Sequence, residues 1–541
     1  MTASHPPTSA APEAPSGGIV VEEARRRRTF AIISHPDAGK TTLTEKLLLY
    51  GGALQEAGQV QGKGARRQST SDFMDIERRR GISVSSTVLR FDYHDVVVNL
   101  LDTPGHHDFS EDTLRVLAAA DAAVILLDAA KGVEAQTLRL FEVAQARGIP
   151  LLVFVNKYDR PGLEPLEMLD HITEVLGIEP VAMTWPVGIP GDFRGVVDRA
   201  GGGGFVRFTR TVGGATQAPE EHLDAAAALE REGEAWSTAV EELELLEAVS
   251  GELDLERFAT GRSSPVYFGS AVSNFGVRLL LDALVTLAPA PRPRAGLDGA
   301  ERTLDSPFAA QVFKVQANMD PRHRDRVAFL RIWSGRFERG MRAVNARTGK
   351  PFTIAHAHEV FGDERAVLDE AFPGDVIGVV NAGDLRVGDT LHADGAPVEF
   401  PPILTLAPER FVRIRNRDTS RHKQFHRGLE QLAQEGVMHV LRRDPVADPT
   451  PVLAGIGALQ FEVAVERLRT EFGCTVGLDP TPYKVARRTD DAGAEVLRGT
   501  SNAEVLHSAD GTKLALFTSE FLLALVERNH PDVTLDRMLQ R

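Results

Sequence analysis

Directly after the apolar run Phe30-Ala31-Ile32-Ile33 stands Ser34-His35-Pro36-Asp37-Ala38-Gly39-Lys40-Thr41-Thr42, and a helical run from Leu43 to Tyr50 follows it. A strand feeding a tight loop, and the loop feeding a helix N-terminus, aims successive backbone N–H groups and the helix dipole at one point, where a phosphate anion is favoured. Gly39 lets the backbone come close, Lys40 can reach the β- and γ-phosphates, and the Thr41 hydroxyl can ligate Mg²⁺. The phosphate-loop pattern asks for Gly at its first position and this chain has Ser34, so the strict pattern fails by one residue while its physics survives.

The surrounding pattern fits. From Phe30 to about Ala290, short apolar runs recur at Val96 to Leu101, Ala122 to Leu127, Pro150 to Val155 and Pro265 to Phe268, with amphipathic stretches such as Thr137 to Ala144 between several of them. Apolar strands alternating with helices predict a mainly parallel α/β sheet buried on both faces. Residues 190–262 break the rhythm with the glycines Gly201 to Gly204 and an acidic, Ala- and Leu-rich stretch. They are expected to form an insertion with a small helical element whose face is solvated. Residues 291–304 are a Pro-rich linker in this reading. Residues 305–400 carry β-rich runs punctuated by Ser334-Gly335, Pro373-Gly374-Asp375, Gly383-Asp384 and Gly388-Asp389, which predicts a β-barrel. Residues 401–541 mix strands and helices again and predict a C-terminal α+β region of two small units.

Two more loops fall at strand ends. Asp102-Thr103-Pro104-Gly105-His106 follows the Val96 run: Asp102 can hold Mg²⁺ through water, the Gly105 N–H can face a γ-phosphate, and His106 can orient an attacking water. By itself such a sequence is only a strand-end turn; in register after a phosphate loop it completes a phosphoryl-transfer site. Asn156-Lys157-Tyr158-Asp159 ends the Pro150 run, at the sheet edge where α/β folds bind ligands. The Asp159 carboxylate can accept from N1–H and the 2-amino group of guanine, a donor pair adenine lacks. The Asn156 amide can serve the base's acceptor edge, and the Lys157 stem can cover the ring. Ser270-Ala271 can offer backbone N–H to the base oxygen. Between the first two loops, Glu77-Arg78-Arg79-Arg80-Gly81-Ile82-Ser83 reads either as a charged turn into a strand or as a mobile loop whose Ser83 hydroxyl is a second Mg²⁺ ligand.

Composition narrows the class. No apolar run reaches the ~18 residues of a membrane helix, so no membrane is expected. With 61 Lys and Arg against 76 Asp and Glu, the net charge of −15 rules out a wholesale basic coat for nucleic acid. Local clusters at Arg322-His323-Arg324, Arg410 to Arg417 and Arg421-His422-Lys423 remain open as rRNA contacts or as ordinary ion-paired loops. The run Arg25 to Arg28 is open in the same way. A lone cysteine, Cys474, excludes an internal disulfide and fits a reducing cytoplasm. Residues 1–24, rich in Pro, Gly and small residues, read as a disordered tail without a secretory signal.

In this order the four loops resemble the signature of the translational GTPases, and the barrel that follows is similar too. Within that family Ser34 and Pro36, the stretch Phe313 to Phe329, and an end about 140 residues after the barrel resemble the branch that works on terminating ribosomes. The family's histidine is usually followed by Glu where this chain has His107, and Tyr158 stands where an aliphatic residue is usual. The resemblance implies a monomeric cytoplasmic enzyme that binds GTP and GDP with Mg²⁺ and hydrolyses GTP. Its implied partners are the ribosome, both rRNA and ribosomal proteins, and the class-I release factors, whose departure it promotes. The alternatives are a translocase-like or ribosome-protection GTPase, and a nucleotide-gated binding protein that hydrolyses nothing.

Overall fold

The computed structural model describes residues 16–54, 83–211, 214–249, 251–317, 326–361, 364–380, 385–444, 448–500, 503–508 and 511–536. The tail before residue 16, the stretch Glu77 to Ile82 and the cluster Arg322-His323-Arg324 lie outside the described residues. A helix α1 (Ser16–Arg25) precedes β1 (Arg27–Ser34), and α2 (Lys40–Tyr50) follows the loop. The chain continues through β2 (Thr87–Tyr93), β3 (Val96–Asp102), β4 (Ala122–Asp128), β5 (Leu151–Asn156) and β6 (Glu179–Ala182). An antiparallel excursion β7 (Thr184–Ile189), β8 (Asp192–Asp198), β9 (Gly204–Phe208) and β10 (Glu220–Leu223) then leads through helices to β11 (Ser263–Phe268). The main sheet runs β2-β3-β1-β4-β5-β11-β6. Only β2 pairs antiparallel, its residues alternating against β3, and the other pairs are parallel. Strands β4 and β5 are buried at every position, as parallel strands covered on both faces must be.

The excursion differs from the expected helical insertion. It contains the four-stranded sheet β10-β9-β8-β7, hidden in the sequence because its strands are short and interrupted by Pro186, Gly188 and Gly195. Its long helix Glu234–Val249 is no merely solvated face. Trp236 packs 5.6 Å from Phe205, and Glu242 accepts a 2.9 Å hydrogen bond from Trp185 Nε1. The tail expectation also fails at its end: α1 is ordered, with Ala24 and Val20 buried. The basic run after it is spent inside the protein. Arg27 bonds Asp375 at 3.0 Å and pairs with Glu23, Arg26 bonds Glu23 and Asp95 O, and Arg28 bonds Val285 O. Residues 291–304 hold a small hairpin, Arg294–Ala295 with Glu301–Arg302, and the Arg294 guanidinium stacks 3.9 Å from the Trp333 ring, its pKa pushed down to about 10 by burial.

The next region is an eight-stranded antiparallel sheet around its own core of Phe308, Val312, Leu330, Ile332, Phe337, Ile354, Ile377 and Leu391. Its longest pair, Ala309–Ala317 with Arg326–Ser334, carries a bulge: Val312 faces Leu330 and Lys314 faces Phe329, leaving Phe313 extra. A bulge re-aims the side chains beside it. Phe313 packs into the core of the main α/β sheet, and Lys314 Nζ reaches Ser85 Oγ at 2.6 Å and the Ser86 carbonyl. The C-terminal region comprises a four-stranded sheet under the helices His422–Gln434 and Ala458–Phe472, then a three-stranded sheet with Asp491–Leu497 and Glu520–Asn529.

The junction of the first two regions is polar at its centre. The Gly374 carbonyl accepts from Thr29 Oγ1 at 2.7 Å, from Asn99 Nδ2 at 3.2 Å and from Arg331 Nη1, while Arg331 also pairs with Asp121. Gly374 has φ +106°, and a Cβ there would lie 2.6 Å from Pro291 Cγ and 2.8 Å from Arg27 Cβ. Gly374→Ala should therefore cost about 3 kcal/mol through backbone strain and overpacking. Chemical denaturation of the full chain checks this, and an unchanged midpoint would remove the junction from the account of stability.

Candidate nucleotide site

The phosphate loop leaves β1 at Ser34 and takes left-handed turns at Asp37 (φ 65°) and Gly39 (φ 98°) before α2 begins at Lys40. Non-glycine residues seldom adopt that region, so the bend at Asp37 is held by its surroundings. Two tethers do this. Asn156 Nδ2 donates to the Ala38 carbonyl at 2.7 Å, and Lys157 Nζ donates to the Asp37 carbonyl and, at 2.8 Å, to Asp128 Oδ2. A Cβ on Gly39 would come within 2.5 Å of Asn156 Nδ2, so only glycine permits this closure.

The expected site residues converge as follows. Lys40 is buried and its Nζ lies 2.7 Å from Asp102 Oδ1, which puts the phosphate lysine and the β3 carboxylate side by side. Thr41 is next to Lys40 in the first turn of α2, followed by Thr42. Thr103 Oγ1 donates to the Ile32 carbonyl at 2.6 Å and pins the second loop to β1. Gly105 lies against the phosphate loop, a Cβ on it meeting the His35 carbonyl and Pro36 Cα at 3.7 Å, and Thr113 Oγ1 donates to the Pro104 carbonyl at 3.3 Å. The Gly105 carbonyl accepts from Gln136 Nε2 at 2.8 Å. His106 caps a short 3₁₀ turn: the Asp108 N–H donates to its Nδ1 at 3.2 Å. In the neutral ring the proton then sits on Nε2. His107 is occupied elsewhere, with Nε2 2.9 Å from Arg139 Nη1.

Several expected roles change. Asn156 does not turn its amide to a base, because Nδ2 is bound to Ala38 O and its Oδ1 accepts from the Ala271 N–H at 2.8 Å; it is a strut between two loops. Ala271 N–H is thereby engaged, and Ser270 N–H donates to Phe275 O at 3.0 Å, so neither backbone donor is turned to a base oxygen. Tyr158 points into the core, edge-on to Phe193 at 5.2 Å and Phe268 at 5.5 Å, because a phenol ring at the end of β5 finds an aromatic nest there. Asp159 stays half-exposed, 3.9 Å from Arg210 Nη2 of the insertion, free to accept from a ring edge. Ser83 is described but its neighbour Val84 packs on Phe109 and Val463. Sequence reasoning missed Asp128, although its place at the end of the Ala122 run was a signal. Burial pushes its carboxyl up, but the bonds from Lys157 and the Ala130 N–H outweigh this and leave it below the usual carboxylate range.

The residues fit a nucleotide with Mg²⁺. Thr41 and Asp102 supply hard oxygen donors beside Lys40, and the buried Ser34 Oγ and both ring nitrogens of His35 have no protein partner. Among the described residues no helix is long and apolar enough to cross a membrane.

Family models agree with this geometry. The elongation factor Tu GTP binding domain matches residues 25–290, elongation factor G domain 2 matches 307–394, and class II release factor RF3, C-terminal domain, matches 400–527. The protein named peptide chain release factor 3 from Symbiobacterium thermophilum is 47% identical across 95% of this chain and 97% of its own length. The chain belongs to the peptide chain release factor 3 family. Members so named from Synechococcus elongatus (47% identical, 95% of this chain and 93% of that one) and Gloeobacter violaceus (49%, 87% and 89%) match as well. A crystal structure from Thermus thermophilus superposes with a TM-score of 0.67 at 26% identity, covering 90% of this chain and 72% of that one. The release factor 3 fold is thus a GTPase domain, an elongation-factor-type β domain and a family-specific C-terminal α+β region.

Asp159→Asn should lower GTP affinity by about 1.5–3 kcal/mol, the worth of hydrogen bonds to a charged group, and favour xanthosine nucleotides. Nucleotide titrations that keep the guanine preference would remove Asp159 as base reader. Burial lowers the pKa of His35, outweighing the nearby Glu134 carboxylate. The unfolded chain therefore binds a proton that the folded chain refuses, so His35 favours the fold above about pH 6.5 and costs stability as pH falls through that value. His35→Gln should show a shallower loss of Tm on acidification, and parallel curves would acquit His35.

Proposed function

We propose that this protein hydrolyses GTP on the terminating ribosome and so speeds the departure of class-I release factors, the proteins that read stop codons. The observation that carries the reading is the whole-chain likeness to proteins named peptide chain release factor 3, together with the class II release factor model over residues 400–527. Proteins of the same GTPase type with other tasks would share the first domain but not that last one.

The reaction is in-line attack of water on the γ-phosphoryl group. Thr41 and, through water, Asp102 would hold Mg²⁺, with Ser83 as the further ligand from the loop before β2. The ion supplies neutralisation of charge on the phosphate oxygens. Lys40, released from Asp102 onto the phosphates, stabilises charge that grows in the transition state. Gly105 offers its N–H to the γ-phosphate. His106 presents Nε2–H, so it holds the attacking water by donating to its oxygen. Asp159 reads guanine, with the Lys157 stem over the ring. Residues 34–42 cradle the phosphates, and Asn156, Ser270 and Ala271 keep the base loop in register. The ribosome, through rRNA and ribosomal proteins, is the activator; activators of other GTPases supply about 10³–10⁵-fold. The protein acts as a cytoplasmic monomer.

Part of the basic surface suits this. On the strand Arg410–Asn416, Arg415 pairs with Asp479 and Arg413 bonds Thr450 O, so those two are committed internally, while Arg410 is exposed. Arg421, His422 and Lys423 are exposed at the start of the next helix.

Ribosomes stopped at a termination codon, carrying a labelled class-I factor after peptide release, test the reading. Protein with GTP should speed loss of the label. His106→Ala should bind GTP normally, lose stimulated phosphate release by about 10²-fold or more, and turn over poorly on the ribosome. Unchanged label loss combined with movement of tRNA by one codon would replace this reading with a translocase.

A further inference from the structure

Gly457 stands at the N-cap of the helix Ala458–Phe472 in an extended conformation (φ −142°, ψ 170°). A cap residue ordinarily offers a side-chain oxygen to the N–H groups of the first turn, and glycine has none. Gln460 supplies one half of a reciprocal cap, its Oε1 accepting from the N–H of Ile456 at 2.6 Å and of Gly457 at 3.2 Å. The other half comes from a different domain. Asp108, next to the His106-His107 pair, places Oδ2 2.7 Å from the Leu459 N–H and accepts from it. A Cβ at position 457 would stand 1.9 Å from Asp108 Cγ and 2.0 and 2.1 Å from its two oxygens. The missing side chain is what admits the carboxylate.

The same residue holds His106. Its backbone N–H donates to His106 Nδ1 at 3.2 Å, and its Oδ1 lies 3.5 Å from that nitrogen. Main chain and side chain of Asp108 thus join the ring to the C-terminal helix. We propose that Asp108 is a positioning residue for hydrolysis: seating of the helix Ala458–Phe472 on its carboxylate holds the His106 ring where the attacking water is bound. The proposal rests on the water-positioning role of His106 given above. Coupling of this kind is reciprocal, so a partner that lifts the C-terminal helix away loosens His106, and a nucleotide state that moves His106 weakens the helix contact.

Other contacts keep the two surfaces together when Asp108 changes. Val84 and Phe109 pack on Val463, with Leu459 alongside. Arg115 Nη1 donates to the carbonyls of Glu435 at 3.3 Å and Gly436 at 3.1 Å, and Glu111 lies 3.7 Å from His439 Nε2. Single substitutions at Asp108 or Gly457 are therefore read in a folded, docked protein.

The experiment measures ribosome-stimulated phosphate release, GTP affinity and amide exchange at Leu459 in the full chain. Asp108→Ala should leave GTP affinity unchanged, lower stimulated kcat by about tenfold or more, the scale of a misplaced catalytic group, and quicken exchange at Leu459. Gly457→Ala should do the same by evicting the carboxylate. Asp108→Asn, whose amide oxygen still accepts, should keep most of the turnover. The decisive arm is the double variant: with Asp108→Ala in place, Gly457→Ala should add nothing, because the group it strikes is gone. Wild-type kcat in Asp108→Ala with quickened exchange at Leu459 would make the contact a helix cap alone and overturn the proposal. Full additivity of the two substitutions would overturn it as well. His106→Ala is run in parallel: if it loses stimulated turnover while Asp108→Ala does not, the positioning proposal alone fails, and if His106→Ala keeps turnover, the water-positioning role itself fails.

Discussion

The carbonyl of Gly374 is the point on which the two largest parts of this molecule close. It receives Thr29 from β1, Asn99 from β3 and Arg331 from its own β domain, and Arg331 reaches on to Asp121 at the foot of β4. Three donors on one oxygen leave no room for water there, and each donor would be left unpaired in a buried place if the carbonyl moved. Around this polar centre the apolar surfaces are continuous. Phe313, Val327, Phe329, Val376 and Val380 of the β domain belong to the same buried cluster as the main sheet. Helix α1 adds an outer brace, since Glu23 pairs with the same Arg27 that bonds Asp375. The GTPase and β domains therefore present themselves to the C-terminal region as one surface.

The nucleotide site inherits its precision from struts of the same kind. Asn156 and Lys157 were legible in the sequence as a base-reading motif, and the resemblance to the translational GTPases led to the right family. What they do in the fold is partly different: both hold the phosphate loop by its carbonyls, leaving Asp159 to meet a base. The strand–loop–helix order, the main sheet and the β domain were readable because each demands a residue pattern over several consecutive positions. Strands β7 to β10 were not, since four to seven residues broken by Pro and Gly carry too little periodicity to be told from a loop. The ordered helix α1 was hidden for a related reason, because its stability comes from Glu23, Ala24 and Val20 meeting residues that composition does not reveal. Tyr158 illustrates the limit within a motif: its backbone sits at the site while its ring serves the core, a distinction set by Phe193 and Phe268 far along the chain.

Long-range polar contacts were the least legible of all. The bond between Asp108 and Leu459 spans 351 residues, and Lys314 reaches Ser86 across 228. No local pattern announces either. Each nevertheless left a trace: a bulge at Phe313 that turns Lys314 toward the GTPase domain, and a glycine where a helix ordinarily carries its cap. Such breaks of local rule are where tertiary structure has overridden propensity.

These contacts also determine how a change at the phosphates can travel. The loop ahead of β2 is held from the β domain by Lys314 on Ser85 and Ser86. The Ser86 N–H donates to Asp112 Oδ2 at 2.6 Å, so the same loop is tied to the helix that follows His106. That helix carries Glu111 and Arg115, which meet the C-terminal region at His439, Glu435 and Gly436. The two segments that would sense the γ-phosphate are therefore cross-linked to each other, and each is fastened to a different domain. Because the β domain shares a core with the main sheet, displacement of the loop before β2 meets a stiff partner. The C-terminal region is joined to the GTPase domain through fewer and more polar contacts, of which the carboxylate of Asp108 is the nearest to His106. A ligand shifts an equilibrium only by its differential affinity for the two arrangements. The face between the 106–115 segment and the C-terminal helices is the place where this molecule can have two.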